Sequence, residues 1–370
     1  MGNNPGREKI LVINPGGTST KIAVYEGDAP EFVENIRHPA ADVARFETVY
    51  DQLEWRLDVI RRCLADHGHA ATHFDAVVGR GGPLAPVPSG VFAVDEEMLG
   101  AIRRGEVLVH HPALLGAPMA RAIADASGCP AYVVDPVCVD EMLPEAKVTG
   151  LPAVPRRALS HVLSVKAASR RAAAQLGRPL AELDLIVAHL GSGFTIAAQR
   201  RGRQIDHNDA TATGPMAPNR AGGLPALDFA RYCLAGGRTF DEIEHALVAE
   251  GGWVAHLGTD DVREVYARID GGDAKARLVL DATLHQIARE VGALLAVLRG
   301  KVDAIVLTGG VARSERFIRE LEARIAWIGA PFVVFPGEDE MLALAEGALR
   351  ALRGEAEAMS MGPYLRAGYL

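Results

Sequence analysis

The stretch 10-ILVINPGGTSTKIAVYEGD-28 has the pattern that decides the fold of this chain. An aliphatic run ends at Asn14, a group of Pro, Gly, Ser and Thr residues follows, and a second apolar run begins after Lys21. This pattern predicts two buried strands joined by a glycine turn. Glycines leave the backbone N–H groups accessible to a phosphate, so the turn predicts an anion site. The P-loop motif GxxxxGK[ST] is nevertheless absent from the sequence.

The stretch 185-LIVAHLGSGFTIAAQRRGR-203 repeats this pattern, with His189 in the place of Asn14. A second pair of segments also matches, because 74-FDAVVGRGGPL-84 and 302-VDAIVLTGGVA-312 share Asp, Ala, Val and a Gly-Gly pair in register. Both modules occur twice and in the same order, which we interpret as an internal duplication. Strand-like and helical segments alternate along the rest of the chain and predict α/β layers around buried sheets.

A chain of 370 residues exceeds the size of one simple core and predicts two domains. The formal charge of −8 argues against a nucleic-acid partner, because neutralising phosphates requires a basic surface. No apolar run approaches the ~20 residues that span a membrane, and the N-terminal MGNNPGREK has no apolar signal segment. Four scattered cysteines fit reduced thiols better than disulfides. We therefore predict a cytoplasmic protein without a membrane or nucleic-acid partner.

Seven motifs resemble, in this order, those of the acetate and butyrate kinase family within the actin, sugar-kinase and Hsp70 superfamily: NPGGTSTK, VVGRGG, VVDPVCVDEMLP, HLGSG, NRAGGLP, LTGGVARSE and GEDEMLALAEGAL. The resemblance extends from about Ile10 to about Leu352, and VVDPVCVDEMLP and RAGGLP are closer to the butyrate branch. It implies an α/β fold of duplicated actin-like (ribonuclease H-like) domains facing a nucleotide cleft. The predicted domains are 1–153, completed by 347–370, and 154–346.

The resemblance implies an enzyme, a phosphotransferase with a carboxyl group as acceptor. The implied reaction is butanoate + ATP = butanoyl phosphate + ADP by direct in-line transfer, with ATP and Mg²⁺ as cofactors and a short-chain fatty acid as substrate. A homo-oligomer, a dimer or higher, is also implied. Acetate, propionate or isobutyrate as the acceptor stays open. Two different functions stay open as well: a sugar or polyol kinase, and an actin- or Hsp70-type protein that uses ATP as a switch.

On this resemblance, four residues would carry the catalysis: Arg80, Asp135, His189 and Arg220. Arg80 lies between glycines at the end of the strand DAVVG, and its planar fork of donors suits a carboxylate or a phosphoryl group. The family counterparts of His189 and Arg220 contact the migrating phosphoryl group, where charge must be stabilised. The acceptor substrate is a carboxylic acid of pKa ~4–5, which is already ionised at pH 7 and needs no general base to activate it. We therefore expect Asp135 to orient Arg80 or a metal-bound water.

Other residues would bind the nucleotide and the metal. Those implied for the nucleotide lie in the two glycine turns, a DxR segment and a Gly-Gly-Val segment: Gly16, Gly17, Thr18, Ser19, Lys21, Gly191, Ser192, Gly193, Asp261, Arg263, Gly309, Gly310 and Val311. Asn14 and Glu340 would hold the metal, although Asp339 competes with Glu340 for this register. The simpler explanations are a turn residue before proline for Asn14 and an exposed charge for Lys21.

Two segments depart from the family pattern. His110 or His111 would match a histidine near the substrate, but Leu114 replaces the asparagine expected after it. A pair of surface histidines would explain this pattern equally well. The segment 206-DHNDATATGPMAPN-219 differs from both branches, and it lacks the fifth ligand and the glycine of a calcium loop. We expect this segment to change the shape of the pocket.

Overall fold

The computed structural model describes residues 7–69, 74–337 and 339–367, so most of MGNNPGREK, where we found no signal segment, lies outside the described residues. The described part contains twelve strands: β1 (Lys9–Pro15), β2 (Ser19–Glu26), β3 (Ala29–Arg37), β4 (Ala76–Arg80), β5 (Val91–Ala93), β6 (Ala131–Val134), β7 (Asp184–Leu190), β8 (Phe194–Arg200), β9 (Arg203–His207), β10 (Ala304–Gly309), β11 (Phe332–Pro336) and β12 (Ala358–Met359).

Helices connect these strands and cover their faces. The α-helices of the described part are α1 (Ala40–Val43), α2 (Leu53–Asp66), α3 (Glu96–Arg104), α4 (Gly116–Ser127), α5 (Pro144–Lys147), α6 (Val162–Leu176), α7 (Ala226–Leu234), α8 (Phe240–Val248), α9 (Gly252–Leu257), α10 (Val262–Asp270), α11 (Ala274–Val297), α12 (Glu315–Ile325), α13 (Glu340–Leu352) and α14 (Gly362–Ala367).

The chain forms two compact units. The first contains the described residues up to Asp140 and from Asp339 onward, and the second contains those from Glu141 to Gly337. Glu141 belongs with the second unit because its carboxylate accepts hydrogen bonds from Lys166 Nζ and from the Gln204 amide, both at 2.6–2.7 Å. Relative to the predicted domains, residues 141–153 thus lie with the second unit and residues 339–346 with the first, and the domain boundaries themselves stay a prediction.

In the first unit, seven strands form one sheet in the order β12-β5-β6-β4-β1-β2-β3. β1, β2 and β3 are antiparallel neighbours, whereas β4 and β6 continue the sheet from β1 in parallel. α4 and α13 both pack against β1, β4 and β6. β4 and β6 are buried along their whole length, which explains their almost uninterrupted aliphatic sequences.

In the second unit, five strands form a sheet in the order β11-β10-β7-β8-β9. Alternate residues of β7 enter two different cores, because Leu185 and Val187 pack with α6 while Ile186 and Ala188 pack with α11. The sheet is therefore covered on both faces. This alternation places His189, which follows Ala188, on the α6 face.

The two sheets confirm the predicted duplication. The order β6-β4-β1-β2-β3 of the first unit matches β11-β10-β7-β8-β9 of the second, with the same parallel and antiparallel pairs. Even one side-chain hydrogen bond recurs: Asp75 Oδ2 accepts from the Lys9 amide at 2.7 Å, and Asp303 Oδ2 accepts from the Asp184 amide at 2.8 Å. The α/β fold class predicted from the sequence is thus confirmed.

The alignment of the two hairpins is wrong by one residue in the second strand. Without a gap, the repeat matches Lys21 with Ile196. In the structure Asn14 pairs with Lys21, but its counterpart His189 pairs with Thr195. Strand pairing in a hairpin depends on the length of the turn, and the second turn is one residue shorter. Thr195 is therefore the residue beside His189.

The helices of the described residues do not include one with both the length and the apolar character required to cross a bilayer.

Candidate active site

Arg80 ends β4 and is buried, with 7% of its surface exposed. Two glycines bring α4 against its backbone. A Cβ atom on Gly79 would lie 2.1 Å from the Gly116 carbonyl oxygen, and one on Gly116 would lie 2.2 Å from the Arg80 carbonyl oxygen. Neither position has room for a side chain. The helix therefore contacts the end of the strand backbone to backbone, which fixes the position of Arg80.

Arg80 and Asn14 share the carboxylate of Glu340. Arg80 Nη2 lies 3.5 Å from Glu340 Oε1, and Asn14 Nδ2 donates a hydrogen bond to Glu340 Oε2 at 3.0 Å. The other terminal nitrogen of Arg80, Nη1, is buried and has no hydrogen-bond acceptor among the described residues. Because an unsatisfied buried donor is unfavourable, an anion bound beside Arg80 would stabilise this site.

Two further cationic or ionisable residues lie near this group. Lys21 pairs with Asn14 across the first hairpin and is partly exposed. His111 Nδ1 accepts a hydrogen bond from the Ala113 amide at 3.1 Å. His111 is exposed to solvent, and partial desolvation and then the positive charge of Arg80 lower the pKa of its imidazole. This electrostatic effect links His111 to Arg80.

Asp135 follows β6 and is fully buried. Its backbone has a φ of 39°, which is uncommon for a residue with a side chain. Asp135 Oδ1 accepts a hydrogen bond from the Gly90 amide at 2.8 Å, and the Asp135 amide donates to the Gly90 carbonyl at 2.9 Å. The carboxylate thus joins the end of β6 to the residue before β5. Its predicted role in catalysis stays a prediction.

The first glycine turn, residues 16–19, connects β1 and β2. Gly17 and Thr18 are exposed at its tip, and the Gly16 amide donates to the Ser19 carbonyl at 2.8 Å. Beneath the turn lies Arg56 of α2, a buried residue that no motif indicated. Arg56, Ile60 and Leu64 share one helix face, and all three are buried in the structure.

In the second unit, His189 stacks on a second histidine that sequence reasoning missed. The rings of His161 and His189 have centroids 4.5 Å apart and are inclined by 28°. His161 immediately precedes α6, and its Nδ1 lies 2.8 Å from Thr195 Oγ1, within hydrogen-bond distance. His161 is distant from His189 in sequence and has neither a preceding strand nor a glycine turn, so the sequence offered no signal for it.

Arg220 lies over the second glycine turn, residues 191–193. A Cβ atom on Gly193 would be 3.2 Å from Arg220 Nε, and the Asn219 amide donates to the Ser192 carbonyl at 3.3 Å. Arg220 is partly buried, and this desolvation lowers its pKa. Across the described ranges it forms no ion pair with a carboxylate. A desolvated guanidinium without an acidic partner suits an anion.

A cavity of about 800 Å³ opens beside the same turn. This volume is within the range of small-molecule sites. Most of the nucleotide-binding residues predicted for the second unit line it, together with five that were not predicted: Gly191, Ser192, Asp261, Arg263, Gly310 and Val311, with Pro218, Asp260, Val262, Arg313 and Ser314. The cavity therefore brings together residues from four separate sequence segments.

Two predicted residues of this cavity bind each other. Asp261 is the N-cap residue that precedes α10, and it accepts hydrogen bonds from Arg263 Nε at 3.0 Å and Nη2 at 2.6 Å. Hydrogen bonding to Arg263 lowers the pKa of Asp261.

Gly309, at the end of β10, has a φ of 99°, and a Cβ atom there would lie 2.4 Å from the Leu190 carbonyl carbon. Glycine is thus required where β10 meets the second glycine turn.

The divergent segment 206–219 begins in β9, which pairs with β8, and the side chain of Asn208 adds further contacts with β8. Asn208 Oδ1 accepts from the Ile196 amide at 2.7 Å, and Asn208 Nδ2 donates to the Phe194 carbonyl at 2.9 Å. Gly214 contacts the same side chain, since a Cβ atom there would lie 2.6 Å from Asn208 Cγ. The side chain of Asn208 is thereby committed to the backbone of this unit.

Known proteins resemble this chain over almost its whole length. "Probable butyrate kinase 2" of Caldanaerobacter subterraneus subsp. tengcongensis is 44% identical over 347 residues, which cover 94% of this chain and 98% of the relative. "Probable butyrate kinase" of Coprothermobacter proteolyticus is 44% identical over 355 residues, 95% of this chain and 98% of the relative. The Acetokinase family model matches residues 152–329. The chain belongs to the acetokinase family.

The fold of the kinase agrees with this membership. The crystal structure of Porphyromonas gingivalis acetate kinase superposes with a TM-score of 0.75 at 19% identity, covering 92% of this chain and 99% of that one. The predicted resemblance to the acetate and butyrate kinases is therefore confirmed, and with it the enzyme class, a phosphotransferase that acts on a carboxyl group. The family implies the use of ATP. The roles of individual residues stay predictions.

Proposed function

We propose that the kinase transfers the γ-phosphoryl group of ATP to the carboxylate of a short-chain fatty acid, butanoate, and forms butanoyl phosphate and ADP. The observation that carries this proposal is the buried guanidinium of Arg80, whose Nη1 has no acceptor among the described residues. A planar guanidinium fits the two oxygens of a carboxylate. The choice of butanoate is supported by the names of the relatives.

ATP is proposed to occupy the cavity of the second unit. Its volume of about 800 Å³ and its glycine-lined edge suit an adenosine and the start of a phosphate chain. Gly310 and Val311 would contact the adenosine, and Gly191 and Ser192 would lie along the phosphates. The first glycine turn, with Gly17 at its tip, is proposed to bind phosphate oxygens through backbone amides.

The chemistry is proposed to be a direct displacement. A carboxylate oxygen attacks the γ-phosphorus, the bond from this phosphorus to the β–γ bridging oxygen breaks, and ADP leaves with that oxygen. Arg80 would bind the acceptor carboxylate, while His189 and Arg220 would stabilise the charge on the phosphoryl oxygens. The acceptor is already ionised, so no general base is needed, and Asp135 would act in positioning.

Mg²⁺ is proposed to accompany the nucleotide, with Asn14 and Glu340 as the protein contacts. Magnesium prefers hard oxygen ligands and in kinase sites takes one or two carboxylates, waters and phosphates. The residues fit this arrangement, because Glu340 supplies one carboxylate beside the amide of Asn14. When bound, the ion neutralises charge on the phosphates.

The test is acyl-phosphate formation, trapped with hydroxylamine, across straight and branched acids from C2 to C6. The proposal predicts the highest kcat/KM for butanoate and no product without ATP. A maximum at acetate or propionate, or at isobutyrate, would retain the chemistry and change the substrate. ATP turnover that no carboxylate accelerates would overturn the proposal in favour of a sugar or polyol kinase or an ATP-switch protein.

A homo-oligomer in the cytoplasm is also part of the proposal. Neither α7 nor α8 has a buried residue, and both carry exposed apolar side chains, which supports a contact with a second copy of the chain. All four cysteines are free thiols, which is compatible with a reducing compartment.

A further inference from the structure

The first glycine turn rests on a buried arginine. Arg56 of α2 has 0% of its surface exposed. Its Nη1 donates to the Gly16 carbonyl at 2.9 Å and to the Ser19 carbonyl at 3.2 Å, and its Nη2 donates to the Gly17 carbonyl at 3.2 Å. One guanidinium thus binds three of the four carbonyl groups of the turn.

The charge of Arg56 has no acidic partner among the described residues. Its remaining acceptors are neutral, namely Thr20 Oγ1 at 3.0 Å from Nη1 and Gln52 Oε1 at 2.8 Å from Nη2. Burial lowers the pKa of Arg56 to about 10, so the side chain stays charged at neutral pH. An uncompensated positive charge therefore lies directly beneath the turn.

The inward carbonyl groups determine where the amide groups of the turn point. In a planar trans peptide the C=O of one residue and the N–H of the next are directed oppositely. With the Gly16 and Gly17 carbonyls bound to Arg56, the N–H groups of Gly17 and Thr18 are directed away from it. Neither of these amides has an acceptor within the described part of the chain, and both residues are exposed.

We propose that Arg56 is the positioning residue of the first glycine turn as a phosphate site. It holds the Gly16 and Gly17 carbonyls inward, which leaves two successive amides for the oxygens of a phosphate. Its own charge adds to the attraction for an anion, because a desolvated charge is weakly screened. This inference rests on the proposed function in one respect, that the anion is a phosphate of ATP.

Arg56→Met tests the inference, with ATP and adenosine as the two probes in calorimetric titrations. Loss of charge-assisted hydrogen bonds should weaken ATP binding by about tenfold or more, while adenosine, which lacks phosphates, should keep its affinity within about twofold. The matched control is Arg156→Met, because Arg156 also donates to backbone carbonyls, those of Ala146 and His207, but belongs to the second unit. The control should leave the ratio of ATP to adenosine affinity unchanged.

Arg56→Lys gives a second readout should the methionine variant fail to fold. Lysine keeps the charge but lacks the fork that reaches several carbonyl groups. We expect KM for ATP to rise by about threefold or more with kcat and KM for butanoate nearly unchanged, the signature of lost binding rather than lost chemistry. A wild-type ratio of ATP to adenosine affinity in both Arg56 variants, or in Arg56→Lys alone when Arg56→Met does not fold, would overturn the inference.

Substitutions of Gly17 distinguish a wrong inference about Arg56 from a wrong proposal that the first glycine turn binds phosphate. Gly17 has no atom within 4 Å of a built Cβ, so Gly17→Asp and the isosteric Gly17→Asn both fit. If the turn binds phosphate, the carboxylate should weaken ATP binding by about tenfold more than the amide. Equal effects from the two substitutions would show that the turn is not the phosphate site, and this would overturn the inference together with that part of the proposed function. If the two Gly17 substitutions change ATP affinity unequally while the Arg56 variants keep the wild-type ratio of ATP to adenosine affinity, only the inference about Arg56 would be overturned.

Discussion

Two buried arginines of the first unit differ in what surrounds their guanidinium groups. Arg56 donates to backbone carbonyls, a hydroxyl and an amide oxygen, so its donors are satisfied within the protein. Arg80 has a carboxylate at 3.5 Å from Nη2, whereas its buried Nη1 has no acceptor in the part of the chain that the structure describes. Because a charged donor left unpaired is unfavourable, Arg80 is the arginine that suits a ligand, and Arg56 is the one that supports structure.

Arg80→Met should lower kcat for acyl-phosphate formation by at least ~10²-fold, as the loss of an oxyanion-type donor does in other enzymes. The control is Arg61→Met on α2, an exposed residue that pairs with Asp58, which should retain kcat within about twofold because exposed pairs contribute little. Circular dichroism and thermal unfolding would show that both variants fold. A near-wild-type kcat for Arg80→Met would contradict its assigned role.

His38 should make stability depend on pH. It is 4% exposed, and its Nε2 lies 2.8 Å from Thr20 Oγ1. Burial, then the charge of Arg56, lowers its pKa from 6.5 to about 4. The unfolded chain therefore binds a proton more readily, so the stabilisation by neutral His38 is complete above pH 6.5 and is lost as the pH falls to 4. The loss should reach about 3 kcal/mol.

Urea unfolding of the wild type and of His38→Gln at pH 7 and pH 4.5 measures this effect. Groups common to both proteins cancel in the comparison, so the wild type should lose about 2 kcal/mol more unfolding free energy than the variant over this interval. Equal losses would show that His38 keeps an ordinary pKa in the folded protein.

At the scale of elements, the candidate site depends on backbone approaches that only glycine permits. α4 contacts β4 through Gly79 and Gly116, and α13 contacts β6 through Gly347, where a Cβ atom would lie 2.5 Å from Val134 Cγ1. α13 begins at Glu340, the residue that binds Asn14. The position of that carboxylate therefore depends on a packing contact two turns further along the same helix.

Gly347→Ala should destabilise the protein by about 1–3 kcal/mol through overpacking and should also lower kcat, because a shift of α13 moves Glu340. Gly292→Ala in α11 is the matched control. It has open space around a built Cβ and should stabilise the protein by about 0.5–1 kcal/mol through helix propensity. Urea unfolding and kcat measured on both variants test this pair. Equal free energies of unfolding for the two variants would show that the contact with Val134 relaxes without cost.

At the scale of the whole molecule, the duplicated fold supports two dissimilar sets of side chains. Asn14 is the second-last residue of β1 and Arg80 ends β4 in the first unit, while His189 and Thr308 occupy the matching strand positions in the second. The same backbone thus presents an arginine and an amide in one unit and an imidazole and a hydroxyl in the other.

The second unit also carries exposed apolar helices. On α7, Leu227 and Leu234 are seven residues apart, so they share a face, and they are 76% and 86% exposed.

Leu234→Asp should therefore lower the sedimentation-derived mass of the kinase, if α7 contacts a second copy, because a charge in an apolar interface is unfavourable. Leu278→Asp is the control, since Leu278 is 69% exposed on α11, and it should leave the mass unchanged. A monomeric wild type, or equal masses for all three proteins at micromolar concentration, would contradict a contact through α7.

The duplication and its two strand-turn-strand hairpins were predictable because they depend on local patterns. Aliphatic runs, glycine turns and an Asp–Ala–Val repeat mark the same strands in both units, and buried strands must be aliphatic wherever they occur. Asn14, Arg80 and Glu340 were also predictable, since each lies at the end of a strand or the start of a helix within a family motif. Periodicity alone would not have distinguished Glu340 from Asp339.

Other features required the tertiary structure, because they depend on contacts between residues distant in the sequence. In the sequence Arg56 is one more charge on a helix, and only the structure places the turn that precedes it by 37–40 residues above the guanidinium. His161 acquires a partner only when β7 and β8 bring His189 and Thr195 beside it, with a register that the turn length sets. The sequence by itself determined the two glycine hairpins and their duplication. Only the folded chain decided which polar side chains meet, because a hydrogen bond depends on distance in space and leaves no periodic trace along the chain.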